Sequence, residues 1–213
     1  MQKQQEQSAK RLFIALNLPE KIKKEIVEFT DKLAKNNKNK PIKWVMGDGL
    51  HITLHFLGYA DGMLEEQVNP VRKGGALKTT LFENVGLSNG VKLAMQSLSG
   101  KFGELKFSLG KISAFPNLMN PRIIFLECEQ TNGKSVFKLQ ELLGEKLTQL
   151  GIVVDERLWK PHITLGRVKE RCDFKTGDCA IEPLNFSVAS FELMESRLTP
   201  RGAEYKEIIS YKL

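Results

Sequence analysis

The chain has 213 residues, of which 41% are apolar and 27% are charged, a composition typical of a globular protein and unlike that of a disordered or fibrous one. No apolar run reaches the roughly 20 residues that cross a bilayer, and the polar amino terminus lacks the apolar segment of a secretion signal. The formal net charge of +7 favours polyanionic ligands without requiring one.

The three cysteines, at positions 128, 172 and 179, are an odd number and have neither a CxxC pair nor the ligand spacing of a zinc site. Free thiols are typical of a reducing compartment. We therefore expect a soluble, cytoplasmic protein without membrane contacts.

The first half of the chain predicts a strand, a helix and a second strand. Residues 1–10 are polar and are expected to form a disordered tail. RLFIAL is a short apolar strand, and Pro19 begins a helix whose apolar residues recur at helical spacing. In LHITLHFL, which follows, apolar and polar residues alternate, as in a strand buried on one face. The alternation places His51 and Thr53 on the polar face.

The same alternation puts His55 on the polar face and Phe56 on the buried face. His55 lies outside the tetrapeptide HITL, which occurs twice in the chain. Because a lone histidine is more often structural than catalytic, we interpret His55 as a structural residue.

The second half repeats this order of elements. RIIFLEC predicts a strand, residues 135–150 predict a helix that ends at Gly151, and HITLG follows. FSVASFEL and EYKEIISYKL predict two further strands joined through RLTPRG. The repetition suggests two related lobes whose polar strand faces confront each other across a cleft.

The region between these halves is harder to assign. VKLAMQSL predicts a helix and ELKFSL a strand, whereas glycines and serines interrupt any period over residues 61–88. Most of the excess positive charge lies elsewhere, in residues 21–43, which hold eight lysines and three acidic residues. We favour a solvated helix face over an RNA-binding stripe for this segment.

Two of the three histidines stand in HITL, at His51 and His162. Opposed imidazoles can divide acid and base work, the neutral one accepting a proton from water and the protonated one donating to a departing oxygen. Thr53 and Thr164 follow two residues later on the same faces, where their hydroxyls can donate to nonbridging phosphate oxygens. The four side chains together are suited to phosphodiester cleavage.

Several longer segments strengthen this interpretation. The two motifs lie in the segments WVMGDGLHITLHFLG and WKPHITLGR. They are accompanied by RLFIALNLP near the amino terminus, by SAFPN before RIIFLE, and by ESRLTPRGAEY. Over residues 11–205 this pattern resembles the RNA 2′,3′-cyclic phosphodiesterases, also called 2′-5′ RNA ligases, of the 2H phosphoesterase superfamily.

The resemblance implies an α+β fold in which two pseudo-symmetric lobes, with antiparallel sheets flanking a central groove and helices on the outside, form one bilobal domain over residues 11–213. The implied activity opens RNA 2′,3′-cyclic phosphate ends to 2′-phosphomonoesters, and 2′-5′ ligation is open to the same site. The implied enzyme is a monomer that acts on RNA and needs no metal or cofactor.

The resemblance also assigns the site residues. It gives the chemistry to the two motif histidines and phosphate binding to their threonines, namely His51, His162, Thr53 and Thr164. His51 would be the general acid for the 3′ oxygen and His162 the base that activates water. Arg167 occupies the position of a phosphate-clamping arginine. Trp44 matches an aromatic that could stack on a base, and a core tryptophan is an equal alternative.

Three alternatives stay open on the sequence alone. The same site could act on 2′-5′ linkages or on a small cyclic nucleotide. The lobes could hold a nucleotide or RNA without turnover, although two intact motifs argue against this. A metallohydrolase is disfavoured, because the chain has no HExxH or comparable cluster.

Overall fold

The computed structural model describes residues 10–59, 85–177, 179, 181–199 and 202–213. Within this part of the chain, nine strands form one sheet and three α-helices pack on it. The strands are β1 (Lys10–Asn17), β2 (Ile42–Trp44), β3 (His51–Tyr59), β4 (Leu105–Phe115), β5 (Ile123–Gln130), β6 (His162–Val168), β7 (Asn185–Val188), β8 (Ser190–Thr199) and β9 (Gly202–Lys212). The helices are α1 (Glu20–Asn36), α2 (Val85–Gln96) and α3 (Ser135–Gln149), and a 3₁₀ turn spans Gly47–Gly49.

The sheet has an internal pseudo-two-fold arrangement. Its strand order is β7-β4-β5-β6-β3-β1-β8-β9, with β2 beside β6, and the strands pair antiparallel. Outward from the contact of β3 with β6, each half has a motif strand, an apolar strand and two outer strands. Helix α1 connects β1 to β3 just as α3 connects β5 to β6. The predicted α+β fold with two related lobes is confirmed.

The helices cover one face of the sheet and leave the other open. Alternate β1 residues such as Ile14 and Leu16 join the buried residues of α1 and α3 in the main core. Each such aliphatic side chain contributes about 1.5–3 kcal/mol when it is fully buried. The intervening β1 residues Phe13 and Ala15 form a small separate cluster with Met194 on the opposite face. That second face, which we call the groove face, carries the polar residues of both motifs.

The structure also refines the element boundaries. Strand β1 begins at Lys10, one residue inside the predicted tail, and residues 1–9 lie outside the described part. Of the unassigned segment 61–88, the structure describes only the start of α2, from Val85. The end of α3 before Gly151, whose φ is 78°, is confirmed. Among the described residues no helix is long and apolar enough to span a membrane.

The alternation predicted for β3 is wrong beyond Thr53. The register with β1 shifts there, because Ala15 is opposite Thr53 whereas Ile14 is opposite His55, which leaves Leu54 in a bulge. A bulge inserts one residue and reverses the faces of those that follow. His55 is therefore buried, with 5% of its surface exposed, whereas Phe56 is 40% exposed.

His55 has a structural environment. Its Nε2 lies 2.7 Å from the carbonyl oxygen of Gln140 on α3. A Cβ on Gly144, one turn further along that helix, would lie only 3.1 Å from the imidazole ring. The ring thus fastens α3 to β3 at a point where the helix has no side chain. Burial lowers the pKa of His55 below its ordinary value of 6.5, so the neutral form is the one that stabilises the fold.

We expect His55→Ala to lower the free energy of unfolding by about 2–3 kcal/mol, because it leaves a cavity and removes the bond to Gln140. Since the folded pKa is depressed, the contribution of His55 is complete above pH 6.5 and is lost as pH falls towards the folded value. Urea unfolding at pH 7.5 and pH 5.5 should therefore show a smaller difference between wild type and variant at the lower pH. An equal difference at both values would contradict this account.

Candidate active site

The two HITL motifs meet at the centre of the sheet. In the described residues, β3 pairs with β6 through Ile52 opposite Ile163, and both isoleucines are fully buried. Neighbouring residues on a strand point to the other face, so the histidine and threonine on either side of each isoleucine lie on the groove face. The structure thereby brings together all four predicted motif residues, which are His51, Thr53, His162 and Thr164.

The antiparallel direction of the strands determines how the four side chains face one another. On either side of the isoleucine pair, His51 lies towards Thr164 and His162 towards Thr53. The strand direction therefore places each motif histidine on the same side of the isoleucine pair as the threonine of the opposite motif. A phosphate at the centre would have a histidine and a threonine on each flank.

Each motif histidine is oriented by the backbone two residues before it. Nδ1 of His162 lies 2.7 Å from the carbonyl oxygen of Lys160, and His51 makes the corresponding backbone hydrogen bond with Gly49. A carbonyl can only accept, so Nδ1 of His162 donates and Nε2 is left to exchange a proton. Both histidines thus bond to the carbonyl two residues before them, so the two motifs share one local arrangement.

Aromatic rings hold the imidazole of His51. It stacks on Phe13 of β1 with ring centroids 4.7 Å apart, and Tyr205 of β9 lies 5.7 Å away at an angle of 60°. No role was predicted for these rings from the sequence, although they lie in the segments RLFIALNLP and RGAEY that resemble the family.

His162 has an equivalent pair of rings. Phe125 of β5 and Phe115 at the end of β4 lie 5.0 Å and 5.4 Å from it, measured between ring centroids. These two phenylalanines stack on each other at 4.4 Å. Both were missed by the sequence analysis, and the segments SAFPN and RIIFLE were the signal that could have found them. The rings cover part of each imidazole, so that both motif histidines are half-buried.

This environment lowers the pKa of both histidines. Burial is the largest cause for His51 and outweighs the bond to Gly49, which raises the pKa. The charges of Arg167, His162 and Lys23 lower it further, which gives a pKa of about 4. Burial and the charge of Arg167 lower the pKa of His162 in the same way, against the bond to Lys160. Both imidazoles are therefore neutral at pH 7 while the site holds no anion.

Arg167 reaches the groove because of a bulge. It is five residues after His162, so a regular strand would place it on the opposite face. The register of β6 with β5 shifts between Thr164 and Gly166, which leaves Leu165 in a bulge that matches the one at Leu54. Arg167 is consequently exposed, and its charge acts on both motif histidines.

Two tryptophans lie next to the motifs. Trp44 of β2 is opposite Gly166, where a Cβ would come within 3.1 Å of the indole, and its half-buried ring packs against the main core. Its suggested contact with a base stays a prediction. Trp159, which the sequence analysis missed, donates its Nε1 hydrogen to the carbonyl oxygen of Thr53 at 3.0 Å. It therefore ties the segment before the second motif to the first motif.

The acid–base groups of the site are imidazoles. Within the residues that the structure describes, no three histidine, cysteine or acidic side chains are grouped as metal ligands. A half-buried pair of neutral imidazoles, with two hydroxyls and a guanidinium on the same face, can bind a phosphate and move protons on either side of it.

Comparison with known proteins agrees with this geometry. The family described as LigT-like phosphoesterases matches residues 16–85. A Methanocaldococcus jannaschii protein named RNA 2′,3′-cyclic phosphodiesterase is 32% identical over 204 residues, which cover 93% of this chain and 98% of the relative. A Thermotoga maritima protein of the same name is 29% identical over 199 residues, covering 92% of this chain and 91% of the relative.

Solved structures share the fold. The crystal structure of the Thermus thermophilus protein TT0787 matches with a TM-score of 0.68 and 25% identity over 95% of this chain and 97% of that one. E. coli LigT complexed with 3′-AMP matches with a TM-score of 0.66 and 18% identity over 96% and 98% of the two chains. Together with the 32% identity over nearly its whole length, these matches show that the chain belongs to the RNA 2′,3′-cyclic phosphodiesterase family of LigT-like 2H phosphoesterases.

Proposed function

We propose that this protein hydrolyses the 2′,3′-cyclic phosphate at the 3′ end of an RNA to a 2′-phosphomonoester. The observation that carries the proposal is the meeting of two HITL motifs at Ile52 and Ile163, which presents two oriented imidazoles and two hydroxyls to one point. The names of the full-length relatives support the choice of a cyclic RNA phosphate as substrate.

The cyclic phosphate is held at the centre of the groove. Thr53 and Thr164 donate hydroxyl hydrogens to its nonbridging oxygens, and Arg167 supplies a permanent positive charge on the side of β6. The histidines then lie on opposite sides of the phosphorus. That placement allows a nucleophile to attack in line with the oxygen that leaves.

The reaction needs one proton removed and one supplied. The neutral imidazole of His162 takes a proton from water as the water oxygen bonds to phosphorus. The bond from phosphorus to the 3′ oxygen breaks, and protonated His51 donates its proton to that oxygen. The phosphate stays on the 2′ oxygen. If the 5′-hydroxyl of a second RNA replaces water, the same transfer gives a 2′-5′ linkage.

The bound phosphate also provides the charge that the general acid needs. In the unliganded site the pKa of His51 is about 4, which keeps its imidazole neutral at pH 7. A phosphate anion beside the ring favours the protonated form and raises that pKa. The bound substrate thus favours the protonated form of His51, which is the form that acts as the general acid.

We expect His51→Ala and His162→Ala each to lower kcat by roughly 10²- to 10⁴-fold, the usual contribution of a general acid or base. Turnover of a short RNA with a 2′,3′-cyclic end should be measured in excess EDTA, with folding checked by circular dichroism. His55→Ala is the matched control, because it removes the third histidine and should leave kcat per folded molecule unchanged. A folded motif variant with wild-type turnover would show that the paired-histidine mechanism is wrong.

We also expect a bell-shaped pH profile of kcat/KM whose basic limb lies below pH 6.5. kcat/KM reports the unliganded enzyme, in which one histidine must be protonated and both pKa values are lowered. The basic limb of kcat should lie at higher pH, since bound phosphate raises the pKa of the acid. Steady-state rates from pH 4 to 9 test both limbs, and a basic limb of kcat/KM above pH 7 would contradict the burial argument.

The separate roles of the histidines can be tested with a sulfur substitution. A thiolate leaves without protonation, so replacing the bridging 3′ oxygen with sulfur removes the need for a general acid. We expect the sulfur substrate to restore about 10²-fold or more of the activity lost in His51→Ala and to leave His162→Ala nearly inactive. Preferential rescue of His162→Ala would reverse the assignment and leave the two-histidine site intact.

A further inference from the structure

Two basic segments far apart in sequence form one surface. Residues 35–43 and 167–175 hold eight basic and two acidic residues, an excess of six, whereas the whole chain has a net charge of +7. We call their basic side chains the basic ridge, which consists of Lys35, Lys38, Lys40, Lys43, Arg167, Lys169, Arg171 and Lys175. Most of the net positive charge of the protein can therefore be assigned to one place.

Backbone contacts hold the two segments together. Strand β2 pairs with β6, with Lys43 opposite Arg167. The backbone nitrogen of Lys169 donates to the carbonyl oxygen of Pro41 at 2.8 Å. The side chain of Asn37 then makes two bonds to the backbone of Lys175, at 2.7 Å and 2.9 Å. The ridge is thus a built surface, extending from β6 past the end of α1.

The ridge is continuous with the catalytic groove. Opposed residues of an antiparallel pair point to the same face, so Lys43 projects on the side of Arg167. Lys43, Arg167 and Lys169 are exposed. Positive charge therefore runs from the phosphate site onto the open surface beside β2.

The other side of the groove is mainly aromatic, and Lys23, a cation that acts on His51 there, is paired with Glu20. Around His51 it presents the rings of Phe13 and Tyr205. Glu207 of β9 is opposite Met194, a member of the groove-face cluster, and is exposed. A polyanionic chain leaving the site towards β9 would meet aromatic surface and a carboxylate, whereas one leaving over β2 would meet cations.

We propose that the basic ridge binds the phosphates of the RNA strand that precedes the cyclic end, so that the preferred substrate is an oligoribonucleotide and not a mononucleotide. The proposal rests on the hydrolytic function proposed above. It also gives residues 35–43 an RNA contact that the sequence alone disfavoured, because the backbone contacts join them to residues 167–175. A nucleoside 2′,3′-cyclic phosphate has a single phosphate, which the motifs and Arg167 hold. An RNA chain adds one phosphate per nucleotide, and these phosphates are anions that the cations of the ridge can bind.

The test compares two substrates and two variants of equal charge. The substrates are a nucleoside 2′,3′-cyclic monophosphate and an RNA octamer with the same cyclic end. The ridge variant is Lys40→Gln/Lys169→Gln/Lys175→Gln. The control variant removes three lysines outside the ridge, as Lys101→Gln/Lys134→Gln/Lys212→Gln, and so has the same net charge.

We expect wild type to have a higher kcat/KM for the octamer than for the monomer. The ridge variant should lose about tenfold or more of kcat/KM on the octamer and nothing on the monomer, and the control variant should resemble wild type. Each lost phosphate contact should make the slope of log kcat/KM against log salt shallower by about 0.7 on the octamer.

Three results would overturn the proposal and leave the hydrolytic function standing. In the first, wild type has the same kcat/KM for the monomer and the octamer. In the second, the ridge variant loses the same fraction of kcat/KM on both substrates. In the third, the control variant loses as much kcat/KM on the octamer as the ridge variant does. If wild type cleaves neither substrate, the hydrolytic function fails. In that case the affinity of each variant for an octamer ending in a 2′-deoxy 3′-phosphate, measured by fluorescence anisotropy, tests whether the ridge binds the strand. Equal affinity of the ridge and control variants would overturn the ridge proposal.

Discussion

The contact between Ile52 and Ile163 is the constraint on which the site depends. It is a pair of fully buried side chains at the centre of the sheet, where two strands from different lobes meet. Because strand side chains alternate, burying these two isoleucines forces the residues on either side of them onto the groove face. The hydrophobic burial of the isoleucine pair thus positions the histidines and threonines of the site next to one another.

Beyond that contact the two motif strands separate. Groups from other segments then donate hydrogen bonds to the backbone carbonyls that the strands no longer use for pairing. On β3 the indole of Trp159 donates to the carbonyl of Thr53, and on β6 the carbonyl of Leu165 accepts from the nitrogen of Val45. A buried carbonyl without a partner would cost about 1–3 kcal/mol. These bonds satisfy one carbonyl of each motif strand where the sheet opens into a groove.

The two lobes match in backbone and differ in chemistry. Each motif strand has a bulge at the leucine of HITL, and each bulge turns the residue five after the histidine towards the groove. That residue is Phe56 in the first lobe and Arg167 in the second. The same turn therefore presents an aromatic ring on one side and a cation on the other, so a backbone with pseudo-two-fold symmetry carries an asymmetric site.

The sequence by itself determined the strand and helix order, the two motifs and the family, because periodicity and motif spacing are local properties of the chain. The tertiary structure decided what depends on contacts between distant segments. The bulges placed His55 in the core and Arg167 in the groove, against simple alternation. The rings around His51 and His162 come from other strands, as does the pairing that joins lysines near position 40 to those near position 170. Register and long-range pairing follow from burial across the whole sheet, which no single segment contains.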